Sequence, residues 1–144
     1  MDSILVFIDG TICDTRLRNP LFGSREFYSE ENILSDIPTM GSVECMKELS
    51  KRFSLVYIGA RPAACLPATR EWMQKVGFPE GEIYLGKDQQ ERMQIALKLK
   101  GTHRFAAGIG DRWDDNELHL VFGCMSIILK EWEPDWNTAL TYIK

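Results

Sequence analysis

Five short apolar runs recur along the chain, at residues 4–8, 55–58, 83–85, 105–109 and 125–129. Four of them are continuous rather than alternating, as expected for strands that are covered on both faces of a sheet. Longer stretches with helical spacing of apolar residues separate the runs. This alternation predicts an α/β fold with a parallel five-stranded sheet and crossover helices.

The spacing predicts helices over 41–52, 62–76, 88–100 and from Asp114 or Asp115 to residue 122, with a last helix beginning near Pro134. Asp88 is an expected N-cap, because its carboxylate can accept a hydrogen bond from a free amide of the first turn. Glycines at 101 and 123 are expected to end two of these helices. On the second predicted helix, Trp72 falls on the apolar face and is predicted to lie in the core.

The stretch from Thr11 to Met40 has no clear periodicity. We therefore predict a long loop or flap over about residues 12–40, too short to be a folded cap domain. Its arginines Arg16, Arg18 and Arg25 are expected to be solvated, with contact to an anionic ligand as the alternative. No internal repeat divides the chain, and residues 1–144 are predicted to form a single domain.

Composition narrows the functional classes. Lys and Arg number 17 and Asp and Glu 21, a net charge of −4, so no basic field points to nucleic acid or to an anionic membrane. The four cysteines are scattered, which favours free thiols over disulfides or structural zinc. No apolar run is long enough for a signal peptide or membrane span, and a cytoplasmic location is expected.

Charged or glycine-bearing turns follow the first four predicted strands. They are Asp9-Gly10-Thr11, Gly59-Ala60-Arg61-Pro62, Gly86-Lys87-Asp88 and Gly110-Asp111-Arg112, the last followed by Asp114 and Asp115. Ligands of open parallel sheets bind beyond the carboxyl ends of the strands. The four turns are therefore predicted to meet at one edge and to form the functional site.

These turns resemble the motifs of the haloacid-dehalogenase (HAD) phosphatases. Residues 6–11 resemble the D-x-D-G-T motif after the first strand, residues 56–62 the second motif, Lys87 the third, and residues 110–115 the acidic fourth motif. The resemblance implies a Rossmann-like, three-layer, HAD-like domain without a cap. It is closest to capless polynucleotide-phosphatase-like domains, in which A-R-P and T-x-x-W recur, here at residues 60–62 and 69–72.

The resemblance also implies a set of roles. In the family an Asp nucleophile forms an aspartyl-phosphate, a second Asp serves as acid and base, and Mg²⁺ is held by carboxylates. The implied catalytic positions here are Asp9, Lys87, Asp111 and Asp115, with Asp9, Asp111 and Asp115 as metal ligands. The implied phosphate or ligand-binding positions are Gly10, Thr11, Gly59, Ala60, Arg61 and Lys87.

Two positions depart from the family pattern. Phe7 stands where the nucleophile belongs, and Gly59 stands where a Thr or Ser hydroxyl belongs. A phenyl ring can neither attack phosphorus nor bind Mg²⁺, so magnesium binding is expected to be weak or absent. The preferred interpretation is a pseudo-phosphatase that binds a phosphorylated small molecule or a protein partner.

Two alternatives stay open. One is a magnesium-dependent phosphohydrolase that acts on a phosphomonoester, with Asp9 as general base or as nucleophile. In the nucleophile case, Asp9-Gly10-Thr11 resembles the D-x-T of P-type ATPases. The other is a partner-binding module whose contact surface is the flap together with Trp113. The oligomeric state is not predicted.

Overall fold

Seven strands are present in the computed structural model, which describes residues 1–143. In chain order they are β1 (Ser3–Phe7), β2 (Cys13–Asp14), β3 (Ile37–Pro38), β4 (Ser54–Gly59), β5 (Glu82–Leu85), β6 (Phe105–Gly110) and β7 (Met125–Ile128). Five of them form one parallel sheet in the order β5-β4-β1-β6-β7. The five predicted strands and their parallel arrangement are confirmed.

Six α-helices accompany the strands: α1 (Glu30–Leu34), α2 (Ser42–Ser50), α3 (Leu66–Val76), α4 (Gln89–Lys100), α5 (Trp113–Phe122) and α6 (Trp136–Tyr142). Asp88 caps α4 as predicted, because its carboxylate accepts the Glu91 amide at 2.8 Å. Gly123 ends α5 in the left-handed conformation. None of the helices within residues 1–143 has the length and apolarity needed to cross a lipid bilayer.

The central strand β1 divides the core into two layers, because successive side chains of a strand point to opposite faces. Ile4 and Val6 pack with residues of α2, α3 and α6 on one face. Leu5 and Phe7 pack with residues of α4 and α5 on the other. The result is a three-layer α/β domain in which β1, covered on both faces, ends at the centre of the sheet edge.

The 11–40 segment differs from its prediction. Strands β2 and β3 pair antiparallel within it, short 3₁₀ turns occupy Asn19–Leu21 and Arg25–Tyr28, and α1 follows. Ile12, Phe27 and Ile33 are buried. The prediction of a long loop or flap did not include these short elements, because elements of two to five residues are too short to produce a periodic pattern.

Candidate functional site

A cleft of about 280 Å³ lies at the carboxyl ends of the central strands. It brings together seven of the positions singled out in the sequence: Phe7, Asp9, Gly10, Ala60, Lys87, Asp111 and Asp115. The 11–40 segment adds Thr15, Asn19, Phe22, Phe27 and Tyr28, and Arg92, Arg112, Asp114 and Glu131 complete the lining. The location agrees with the rule that ligands bind beyond the carboxyl ends of parallel strands.

Asp9 follows β1 and has a donor on each carboxylate oxygen. Its Oδ1 accepts Nε of Arg61 at 2.9 Å, and its Oδ2 accepts the amide of Ala60 at 2.8 Å. Nη2 of Arg18 lies 3.5 Å from Oδ1. Burial raises the pKa of Asp9, but the charge and hydrogen bond of Arg61, with help from Ala60 and Arg18, bring the pKa below its usual value. The carboxylate is therefore ionised and held in place.

Arg61 is completely buried and does not line the cleft. Besides Asp9 it donates to the hydroxyl of Thr69 at 2.9 Å, and it lies 3.5 Å from Asp36. The guanidinium of Arg61 thus acts as an internal counter-ion, and its predicted role in ligand binding stays a prediction.

Arg18 and Asp36 complete this buried network and were missed in the sequence. Nε of Arg18 donates to both carboxylate oxygens of Asp36, at 2.9 and 3.0 Å. Both side chains come from the 11–40 segment, where Arg18 was expected to be solvated. Only the tertiary structure brings together residues 18 positions apart, so no local signal could have found the pair.

Asp111 follows β6 and lies beside the loop after β1. Its Oδ1 accepts the hydroxyl of Thr11 at 2.8 Å. Thr11 is thus buried and outside the cleft lining, and its role as a ligand-binding residue stays a prediction. Within residues 1–143, Oδ2 of Asp111 is buried without a hydrogen-bond partner. Burial is the main cause that raises the pKa of Asp111 to about 7, with the Asp115 and Glu131 charges adding to it.

Asp115 organises the start of α5. Its Oδ2 accepts the amides of Asp111 and Arg112 at 2.9 and 3.1 Å, so its carboxylate closes the loop between β6 and the helix. Burial raises the pKa of Asp115, and the two amide hydrogen bonds oppose that rise. Asp115 is therefore a structural cap at the wall of the cleft.

The expected magnesium ligands do not fit a divalent cation in this arrangement. Both oxygens of Asp9 accept donors, and Asp115 is engaged as a cap. In the part of the chain that the structure describes, no three His, Cys, Asp or Glu side chains converge as a metal site. Mg²⁺ prefers nearly ideal octahedral oxygen coordination, which carboxylates already bound to arginine and amide donors do not offer. This arrangement therefore does not favour a shared ligand set of Asp9, Asp111 and Asp115, and that assignment stays a prediction.

Phe7 and Gly59, the two positions that depart from the family pattern, are both tightly packed. The ring of Phe7 lies edge-on to His119, with centroids 5.6 Å apart, and belongs to the core beneath α4 and α5. At Gly59 an added Cβ would lie 2.8 Å from Leu85 Cδ2 and 3.3 Å from Asp9 Oδ2. The position thus has no room for a hydroxyl-bearing side chain unless Leu85 moves, and buried Gly59 itself is not part of the cleft lining.

Lys87 follows β5 and projects from the cleft wall. Its side chain is 62% exposed, and its Nζ lies 3.9 Å from a carboxylate oxygen of Glu91. The lysine is therefore at the predicted edge, in contact with solvent rather than with Asp9.

Comparisons with known proteins identify the fold. No protein-family model matches the sequence, and no curated protein matches it. Among solved structures, a HAD-like family hydrolase from Streptococcus pneumoniae superposes with a TM-score of 0.74 and 14% identity, covering 100% of this chain and 99% of that one. A HAD family enzyme from Bacteroides thetaiotaomicron, in complex with magnesium and inorganic phosphate, gives 0.62 and 10%, with 96% and 98% covered.

A chain of the Pnkp1/Rnl/Hen1 RNA repair complex gives a TM-score of 0.75 at 13% identity, covering 90% of this chain and 42% of that one. The present chain thus spans less than half of the RNA repair chains that it matches. Together these similarities establish a HAD-like fold, as the sequence motifs indicated: one α/β domain with a parallel five-stranded sheet.

Proposed function

We propose that this protein is a HAD-like domain without aspartyl-phosphate chemistry, and that it acts by binding at the cleft. The observation that carries the proposal is the state of Asp9, whose two oxygens are held by Arg61 and Ala60 at 2.9 and 2.8 Å. A nucleophile needs a carboxylate oxygen that is free to approach phosphorus. Asp9 offers none.

The position two residues before Asp9 supports the same conclusion. Phe7 is the last residue of β1 and is almost entirely buried in the core between the sheet and α5. It supplies no lone pair for attack. Gly59 similarly supplies no hydroxyl for a phosphoryl oxygen, and the contact that a Cβ would make with Leu85 favours glycine there for packing reasons.

Asp9 is also a poor general base. A base works best when its pKa lies near the working pH, whereas the guanidinium of Arg61 holds the pKa of Asp9 below its usual value. Proton abstraction would in addition break the ion pair with a completely buried Arg61. Both forms of the phosphohydrolase alternative therefore require Asp9 to leave its present partners.

The names of the fold neighbours favour the alternative, since they include hydrolases and an enzyme complexed with magnesium and phosphate. An activity assay distinguishes the proposed binding function from the phosphohydrolase alternative. The purified protein is incubated with Mg²⁺ and a panel of phosphomonoesters, beside an Asp9→Asn variant whose folding is checked by circular dichroism. We expect no turnover in the wild type above that of Asp9→Asn. Turnover that Asp9→Asn abolishes, while a folded Glu71→Gln control retains it, would contradict the proposal.

A gain-of-function arm strengthens the test. Phe7→Asp restores the family carboxylate, and Gly59→Ser restores a hydroxyl with the smallest added volume. If the missing groups are the cause of inactivity, the folded double variant should hydrolyse the panel measurably while the wild type does not. Activity of the wild type equal to that of the double variant would count against a lost chemistry.

A further inference from the structure

We infer that the cleft receives a lysine or arginine side chain from a protein partner. The inference rests on the proposed function, since it assigns a ligand to the same cleft. Two groups of residues carry it. The acidic wall consists of Asp111 and Asp114, and the aromatic rim consists of Phe22, which lines the cleft, and Trp113, which lies between the lining residues Arg112 and Asp114 in the chain.

The first observation is an unsatisfied acceptor in the acidic wall. The side chain of Asp111 is 1% exposed, and within residues 1–143 its Oδ2 has no hydrogen-bond partner. Its nearest cation is Nε of Arg112, 3.7 Å away on a side chain that is 65% exposed and is bonded to Glu131 at 2.7 Å. Buried polar atoms are almost always bonded, so an acceptor left open at a cleft wall points to a donor that arrives with a ligand.

The second observation is the distribution of charge in the cleft. Arg92 donates to the carbonyl of Gly86 at 2.8 Å, and Arg112 is paired with Glu131. Of the lining cations, only Lys87 lacks a close partner, its contact with Glu91 being 3.9 Å long. Asp114, by contrast, has no ion-pair partner among the residues that the structure describes. The lining therefore favours a cationic donor over an anion.

The third observation is the aromatic rim. Phe22 lines the cleft and is 77% exposed, and Trp113 is 80% exposed between two lining residues, Arg112 and Asp114. Large exposed aromatic side chains beside a cleft are typical of protein-binding surfaces, and their faces attract cations. The rim is thus suited to contact both the incoming side chain and the backbone that carries it.

The size of the cleft is compatible with a single side chain. Small-molecule pockets typically have volumes of about 300–1,000 Å³. The cleft has about 280 Å³ and is open to solvent, which is enough for one long side chain. The rest of such a ligand would lie outside, against the aromatic rim, as a protein segment does.

The probe is a capped pentapeptide with a central arginine between two leucines, and the matched probe carries citrulline, which has the same shape without the charge. Binding is followed by backbone amide shifts of the ¹⁵N-labelled full chain. We expect the arginine peptide to shift amides around Asp111 and Asp114 and to bind at least about tenfold more tightly than the citrulline peptide, because the charge faces unpaired carboxylates.

Variants locate the site. Asp114→Asn should weaken binding by about three- to tenfold, whereas Glu71→Gln, which removes the same charge from the exposed face of α3, should change it by less than about twofold. Trp113→Ala should weaken binding, and Leu97→Ala, an exposed apolar residue on α4, should not. Equal effects of Asp114→Asn and Glu71→Gln, or shifts confined to residues outside the cleft, would overturn the inference.

Further binding experiments distinguish a protein partner from a small molecule as the source of the ligand. Free N-acetyl-arginine amide should bind at least about tenfold more weakly than the peptide, because it makes no contact with the rim. Equal affinities would overturn a protein partner in favour of a small organic cation. Inorganic phosphate that shifts the same amides and displaces the peptide would overturn the cationic assignment. Absence of any peptide binding also overturns it, while the phosphomonoester assay above still decides the proposed function separately.

Discussion

Nε of Arg61 lies 2.9 Å from Oδ1 of Asp9, across the ends of two adjacent parallel strands, and the guanidinium is completely buried. The same guanidinium reaches Thr69 and Asp36, and Asp36 in turn holds Arg18. Two arginines and two aspartates thus form one neutral cluster that joins the sheet to the 11–40 segment. The cluster explains why Asp9 is firmly held and why that segment is folded.

The first prediction concerns the stability of this cluster. Arg61→Ala should lower the free energy of unfolding by about 3–5 kcal/mol, because it leaves buried carboxylates without their counter-ion. Arg112→Ala is the matched control, since Arg112 is mostly exposed in its pair with Glu131, and its loss should cost at most about 1 kcal/mol. Urea unfolding followed by tryptophan fluorescence measures both. Similar losses for the two variants would contradict a special role for the buried cluster.

The second prediction compares two glycines that share a backbone conformation. Gly10 has φ +86° and Gly23 has φ +89°, a region that L side chains rarely adopt. A Cβ at Gly23 meets open space, whereas at Gly10 it would lie against Oδ2 of Asp111. Gly23→Ala should cost about 1–2 kcal/mol from the backbone alone, and Gly10→Ala clearly more.

A double-variant cycle with Asp111→Ala tests the origin of that excess. Truncating Asp111 removes the oxygen that the new methyl group would meet, so the extra cost of Gly10→Ala should shrink in that background. If Gly10→Ala costs the same free energy of unfolding in the Asp111→Ala background, the strain arises from another contact in the loop.

The third prediction uses the pKa of Asp111, which burial raises to about 7 from an ordinary value of 3.8. Between these two values the folded protein keeps a proton that the unfolded chain has released. Stability from this group is therefore present at low pH and is lost as the pH rises toward 7. Asp111→Asn mimics the protonated form and should abolish this loss.

Unfolding free energies of the wild type and Asp111→Asn should then agree within about 1 kcal/mol at pH 4, with the variant more stable at pH 8 by on the order of 4 kcal/mol. Taking the difference between the two proteins cancels the contributions of groups that do not interact with Asp111. A variant that is less stable than the wild type at pH 8 would show that the ionised carboxylate is stabilised by contacts other than those described.

The sequence predicted the centre of the sheet because β1, β4 and β6 are buried strands, and such strands appear as continuous apolar runs. It also placed Asp9, Lys87 and Asp111 at one edge, since topology alone brings the carboxyl ends of parallel strands together. Trp72 was correctly assigned to the core: it is fully buried, and its indole donates to the carbonyl of Asp36 at 2.8 Å.

The orientation of the side chains at that edge could not be predicted from the sequence. Arg61 and Thr11 follow strands just as Asp9 does, but they turn into the interior, where Asp36 and Asp111 lie. Asp36 comes from the segment without periodicity, so neither its burial nor its pairing with Arg18 was visible. The residue types at the edge were therefore predictable, and their division between cleft and interior was set by tertiary contacts.

The last prediction concerns His119, which packs against Phe7. The ring is fully buried, its Nδ1 lies 2.7 Å from Oγ of Ser126, and that hydroxyl donates to Asn116. Because the hydroxyl proton is used by Asn116, Nδ1 of His119 carries the ring proton and donates it to Ser126. Burial lowers the pKa of His119 to about 4 from an ordinary 6.5.

The pH dependence of stability that His119 contributes is opposite in sign to that of Asp111. Between pH 4 and 6.5 the unfolded chain binds a proton at this histidine and the folded protein does not, so its contribution to stability rises with pH over this window. His119→Gln retains a donor for Ser126 and does not titrate. The free energy of unfolding of the wild type, minus that of His119→Gln, should be constant above pH 7. It should fall by on the order of 2 kcal/mol as the pH is lowered to 4. A difference that stays constant from pH 7 to pH 4 would mean that the folded state accepts the proton and that the contact with Phe7 does not exclude charge.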